Sequence, residues 1–126
     1  MALIISNLNK LNNYTDLPSG VSGLIEKKKD ATFYGIASGR SMEGVGIFDG
    51  DVLLIDRSLN VEPGDVIVAV LNGQYVCKVA DLKNNQLLSA SDEYEPYVLK
   101  GGDEFTLEGV VASSVRMHRG SIKNTI

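Results

Sequence analysis

Two side chains in this 126-residue chain stand where they could do chemistry. Ser41 follows the turn-prone run Ala37-Ser38-Gly39-Arg40 and precedes Met42-Glu43-Gly44-Val45-Gly46, where Ser41 to Val45 can form one helical turn. A serine at the head of such a turn is surrounded by outward-directed backbone N–H groups, the arrangement that holds a developing oxyanion. The same place suits a serine that only caps the turn. Lys78 lies inside Tyr75-Val76-Cys77-Lys78-Val79. In a strand, Val76 and Lys78 share one face, and Tyr75, Cys77 and Val79 share the other. Apolar neighbours strip water from an amine and favour its neutral, proton-accepting form. A strand lysine with its stem on the sheet and its charge in water fits the same pattern. A serine nucleophile needs a proton acceptor, and lysine is the usual substitute where no histidine serves. The single histidine, His118, lies eight residues from the C-terminus and is a poor candidate.

These groups need a scaffold, and the chain supplies short strands. Thr32 to Ala37 is rich in β-formers, and Val52 to Ile55 and Val66 to Leu71 are apolar runs. Tyr75 to Val79 and Gln86 to Ala90 follow, and Phe105 to Val115 reads as the last strand. Asn72-Gly73 joins two of these runs and is the strongest short hairpin signal. Asp49-Gly50, Pro63-Gly64, Asn84-Asn85 and Gly101-Gly102 mark further turns. Frequent turns and no long 3.6-residue period predict a mostly β domain of curved, partly antiparallel sheets. Residues 1–30 differ. Leu17-Pro18-Ser19-Gly20, Ser22-Gly23 and the basic run Lys27-Lys28-Lys29 predict a flexible N-terminal arm with at most one short helix or strand. The division is then an arm at 1–30, a domain at 31–118 and a tail at 119–126.

The length allows one domain. A 44% hydrophobic fraction against 22% charged supports a packed core. A net charge of −4 argues against coating nucleic acid, and 6% aromatics without tryptophan leave few platforms for stacking single strands. Asp92 to Glu108 carries six acids and one lysine, whereas Arg116, Arg119 and Lys123 make the end basic. Both stretches read as solvated surface. The lone Cys77 excludes a disulfide framework and a Cys-rich metal site, and the sequence predicts neither metal nor cofactor. Asp49 and Asp51 read as turn formers rather than ligands. No apolar run approaches the ~20 residues of a membrane helix, and Met1 to Ile5 is too short for a leader's apolar region, so a cytoplasmic location is expected.

Taken in order, Ser38-Gly39-Arg40-Ser41-Met42, then Gly46-Ile47-Phe48-Asp49-Gly50-Asp51, then Pro63-Gly64-Asp65-Val66-Ile67-Val68, then Lys78 placed 37 residues after Ser41, resemble the LexA/UmuD family of Ser-Lys peptidases and self-cleaving proteins. The likeness covers roughly Ala31 to Arg116. Thr32-Phe33-Tyr34 and Phe105-Thr106-Leu107-Glu108-Gly109-Val110-Val111 look most like its UmuD branch. The resemblance implies a LexA/UmuD-like C-terminal domain fold, with Ser41 as nucleophile, Lys78 as general base, and the backbone N–H groups of Arg40 and Ser41 as oxyanion donors. It implies that Met42 packs beneath the turn and that the protein is a homodimer without a cofactor.

Self-cleaving relatives carry an Ala-Gly or Cys-Gly bond upstream of the serine. No such pair occurs in the arm, where Ser19-Gly20 and Ser22-Gly23 are the nearest imitations. The arm also lacks the helical periodicity of a helix-turn-helix domain. The resemblance therefore implies the shortened, activated form of the UmuD branch. Such a protein is an accessory subunit of a UmuC-like Y-family DNA polymerase in SOS translesion synthesis, with the RecA filament as a further partner. An active self-cleaving or trans-acting Ser-Lys peptidase is one alternative. A signal-peptidase-like enzyme is a second, and a regulator acting by mixed dimers with a LexA- or phage-type repressor is a third.

Overall fold

Val52-Leu53-Leu54-Ile55 has no polar alternation because the strand it forms is buried on both faces, as continuous apolar runs require. Leu53 and Ile55 join Phe33, Ala37, Met42, Ile47, Val68 and Cys77 in one core cluster. Val52 and Leu54 join Tyr34 and Ile36 in a second cluster. The computed structural model describes residues 2–6, 31–91 and 93–119. Among them are eight strands: β1 Ala2–Ser6, β2 Thr32–Ser38, β3 Val52–Asp56, β4 Val66–Leu71, β5 Gln74–Asp81, β6 Gln86–Leu88, β7 Tyr97–Val98 and β8 Phe105–Val115. Single 3₁₀ turns occupy Glu43–Val45 and Leu82–Asn84.

The strands form one sheet in the order β1-β2-β3-β8-β4-β5-β6-β7, with β1 also meeting β5 where Ala2 faces Val76. Every pairing is antiparallel. The extra contact makes the sheet curl back on itself, with β6 and β7 continuing from β5. β8 can serve both β3 and β4 because its register slips twice, beside Leu54/Ile55 and beside Val68/Ala69. Each slip is a bulge that bends the strand and raises its twist.

The mostly β reading therefore holds, and its strands are gathered in one curved sheet. Of the 1–30 arm, Ala2–Ser6 is a short strand paired along β2. The Lys27 to Lys29 run, Ser19-Gly20, Ser22-Gly23 and most of the tail lie outside the described residues. Asn72-Gly73 makes the expected hairpin between β4 and β5, with φ of 51° and 84°. Both turn residues have the positive φ that a type I′ turn demands. Among the described residues, no helix is long and apolar enough to cross a membrane.

Cys77 marks the inner face of β5. It is fully buried, and burial pushes its thiol up to about 11. Iodoacetamide at pH 8 is therefore expected to leave Cys77 unmodified in the folded protein and to alkylate it as the chain unfolds. The shift has a defined sign for stability. From about pH 9 the unfolded chain gives up a proton that the folded chain keeps until about pH 11, so stability falls as pH rises through that window. Thermal melts at pH 8 and pH 10 check this, and Cys77→Ala should flatten the decline.

Candidate functional site

Ser41 opens the turn between β2 and β3. Its side chain is buried, with 2% of the residue exposed, and its Oγ has no hydrogen-bond partner among the described residues. Native proteins rarely leave a buried hydroxyl unpaired, because the lost hydration costs roughly 1–3 kcal/mol. Met42 is fully buried beneath this turn, in the cluster that holds Cys77. It anchors the serine's backbone to the core. The 3₁₀ turn that follows is closed by Glu43 N–H donating to Arg40 O (3.2 Å) and Val45 N–H to Met42 O (3.1 Å). Among the described residues, no hydrogen bond of the turn uses the N–H of Arg40 or Ser41. The Arg40 side chain is exposed, its Nε 3.3 Å from Glu43, whose hydrogen bond raises the guanidinium's affinity for its proton.

The sequence reads Asp49 and Asp51 as turn formers, and the Asp49-Gly50-Asp51 turn also braces this segment. Gly39 N–H donates to Asp49 Oδ1 at 2.8 Å, and Gly50 N–H donates to Ala37 O at 2.8 Å. Asp51, buried like the serine, accepts Phe48 N–H through Oδ2 at 2.9 Å. Arg116 then grips Asp51 with two bonds, Nε to Oδ1 at 2.9 Å and a second nitrogen to Oδ2 at 3.0 Å. It also donates to Gly46 O and lies 4.2 Å over the Phe48 ring. The carboxylate raises the affinity of Arg116 for its proton. Composition places Arg116 in a solvated basic tail. In the folded chain it is the clasp of the serine loop, and no signal near position 116 points to a partner 65 residues away.

Lys78 is half-buried on β5, on the face opposite Cys77, with Tyr75 and Val79 packed toward the core as strand alternation requires. Its Nζ donates to Ser89 Oγ at 2.8 Å and sits 5.9 Å over the Tyr94 ring. Ser89 follows β6, whose Leu88 pairs with Val79, so the hydroxyl lies alongside the lysine. The next residue ties this strand end to the serine turn: Ala90 N–H donates to Ser41 O at 2.7 Å, and Gly44 N–H donates to Ala90 O at 2.8 Å. Ser41 and Lys78 are thus joined through Ser89 and Ala90, and no hydrogen bond links Oγ directly to Nζ. Sequence reasoning missed Ser89 because its neighbours show no pattern; only the β5–β6 register exposes it. His118 is exposed after β8. Among the described residues, no three His, Cys, Asp or Glu side chains gather as a metal site.

A buried serine hydroxyl, on a turn that Ala90 ties to the strand end carrying the acceptor of Lys78, brings together group types that a Ser-Lys hydrolase uses. The family profile described as Peptidase S24-like matches residues 3–112. The LexA repressor of Syntrophotalea carbinolica is 33% identical over 86 residues, covering 67% of this chain and 43% of that protein. The LexA repressor of Providencia rettgeri is 33% identical over 92 residues, covering 71% and 45%. That of Bordetella pertussis is 32% identical over 80 residues, covering 62% and 37%. The chain spans less than half the length of these curated relatives. With 110 consecutive residues inside the profile and the strands and turns in the expected order, the chain belongs to the Peptidase S24-like family.

Proposed function

We propose that this chain is a LexA/UmuD-type protein of the SOS response whose chemistry is that of a Ser-Lys peptidase. The observation that carries the reading is the buried Ser41 Oγ, without a partner among the described residues, on a turn that Ala90 ties to the acceptor of Lys78. A peptide carbonyl is attacked by Ser41 Oγ while its proton passes to Lys78 Nζ. The N–H groups of Arg40 and Ser41 hold the oxyanion. The Lys78 ammonium then protonates the leaving amine, and water, deprotonated by Lys78, clears the acyl-serine. Proton transfer requires the Nζ lone pair to face Ser41 Oγ.

Mass spectrometry of the purified chain over time at alkaline pH tests this, with Ser41→Ala and Lys78→Ala alongside. A fragment that appears only with both residues in place supports the reading, and a fragment that still forms in Ser41→Ala refutes it. The arm's lack of an Ala-Gly or Cys-Gly pair favours a second reading in which the chain stays whole. It then acts like the activated UmuD form, as a homodimeric accessory subunit of a Y-family DNA polymerase. An intact chain that co-purifies with such a polymerase supports that role, and co-purification with a repressor points instead to mixed dimers.

A further inference from the structure

The reaction asks more of Lys78 than nearness. A neutral amine has one lone pair and two N–H bonds, and it rotates freely unless an N–H is held. We propose that Ser89 is the positioning residue for Lys78; this rests on the dyad reading above. Ser89 Oγ accepts from Nζ at 2.8 Å, and a hydroxyl can accept from the amine in either protonation state. Holding one N–H narrows the directions in which the lone pair can point. After proton transfer, the same bond and the Tyr94 ring at 5.9 Å receive the ammonium.

The position of Ser89 is itself fixed with respect to the nucleophile. Its chain neighbour Ala90 donates to Ser41 O at 2.7 Å and accepts from Gly44 N–H at 2.8 Å. The acceptor of the base is therefore one residue from a two-bond clamp on the serine turn. On the other side, the pairing of Val79 with Leu88 fixes Ser89 against β5. The neighbouring hydroxyl, Ser91 Oγ, serves a different purpose, accepting Glu93 N–H at 3.3 Å.

The test is the rate at which diisopropyl fluorophosphate labels Ser41 in the full chain, followed by intact mass and peptide mapping. Ser89→Ala should label about 10- to 100-fold more slowly, the loss expected when a reacting group is misplaced by about 1 Å. Ser89→Thr, which keeps the hydroxyl, should recover most of the rate, and Ser91→Ala should match the wild type. Thermal melts of each variant separate slow labelling from unfolding, with Ser89→Thr as the folded reference. Wild-type labelling by Ser89→Ala overturns the role of Ser89 and leaves the dyad standing, provided that Lys78→Ala is slow. Equal slowing in Ser89→Ala and Ser89→Thr also overturns it, because the hydroxyl would then not be what matters. A wild type that fails to label at Ser41, or labels as fast without Lys78, overturns the dyad and this proposal together.

Discussion

Ser41→Ala is expected to abolish covalent chemistry and to raise the melting temperature. The first half follows from losing the only atom that can form the acyl bond. Removing the nucleophile of a catalytic unit costs on the order of 10³- to 10⁶-fold, so activity or fluorophosphonate labelling should drop to background. The second half is the less usual one. Among the described residues Ser41 Oγ is buried without a partner, and a hydroxyl so placed carries a desolvation cost in the folded state. Alanine removes that cost and leaves Met42, the anchor of the turn, untouched. A gain of about 0.5–1 kcal/mol is reasonable after subtracting the contacts of one atom, which is a rise of a few degrees for a domain of this size. Calorimetry beside the labelling assay checks both. A serine that served only as a cap would give the opposite sign, since loss of a cap destabilises by about 0.5–2 kcal/mol.

Gly44→Ala should cause the largest loss of stability at the site, although Gly44 is exposed. A methyl group there would run into the carbonyl oxygen of Ala90 and lie 3.3 Å from the Ala90 side chain. The backbone must move apart, which breaks the Gly44 N–H bond to Ala90 O and strains the Ala90 N–H bond to Ser41 O. Overpacking and one lost hydrogen bond together cost about 2–4 kcal/mol. That is a drop of order 10 °C in melting temperature. The same movement carries Ser89 away from the serine turn, so labelling of Ser41 should slow even well below the melting point. A variant that melts like the wild type would show that the clamp between the turn and Ala90 is not rigid.

Local features were legible in the sequence and distant ones were not. The β4–β5 hairpin was readable because Asn72-Gly73 sets both its turn and its register. β8 was readable as a strand from Phe105 to Val115, but not its insertion between β3 and β4. That placement depends on two register slips and on partners more than 30 residues away. β7 has only two residues, too few for any periodic signal. β1 is the one short strand that the sequence allows in the arm; its position was not legible because it depends on the edge that β2 offers over five positions. Ser41 and Lys78 could be singled out by their types, their setting and their separation. Ser89 and Arg116 could not, because their roles come from what the sheet folds next to them.

The point where Ala2 meets Val76 has a practical consequence. It is where the curled sheet closes, and Val76 is two positions from Lys78 along the same strand. Anything fused ahead of Ala2 would emerge at this seam, near the proposed general base. Purification handles and fluorescent reporters are therefore better placed away from this seam. An amino-terminal fusion that lowered reactivity would report on steric crowding at the seam rather than on the chemistry of the pair.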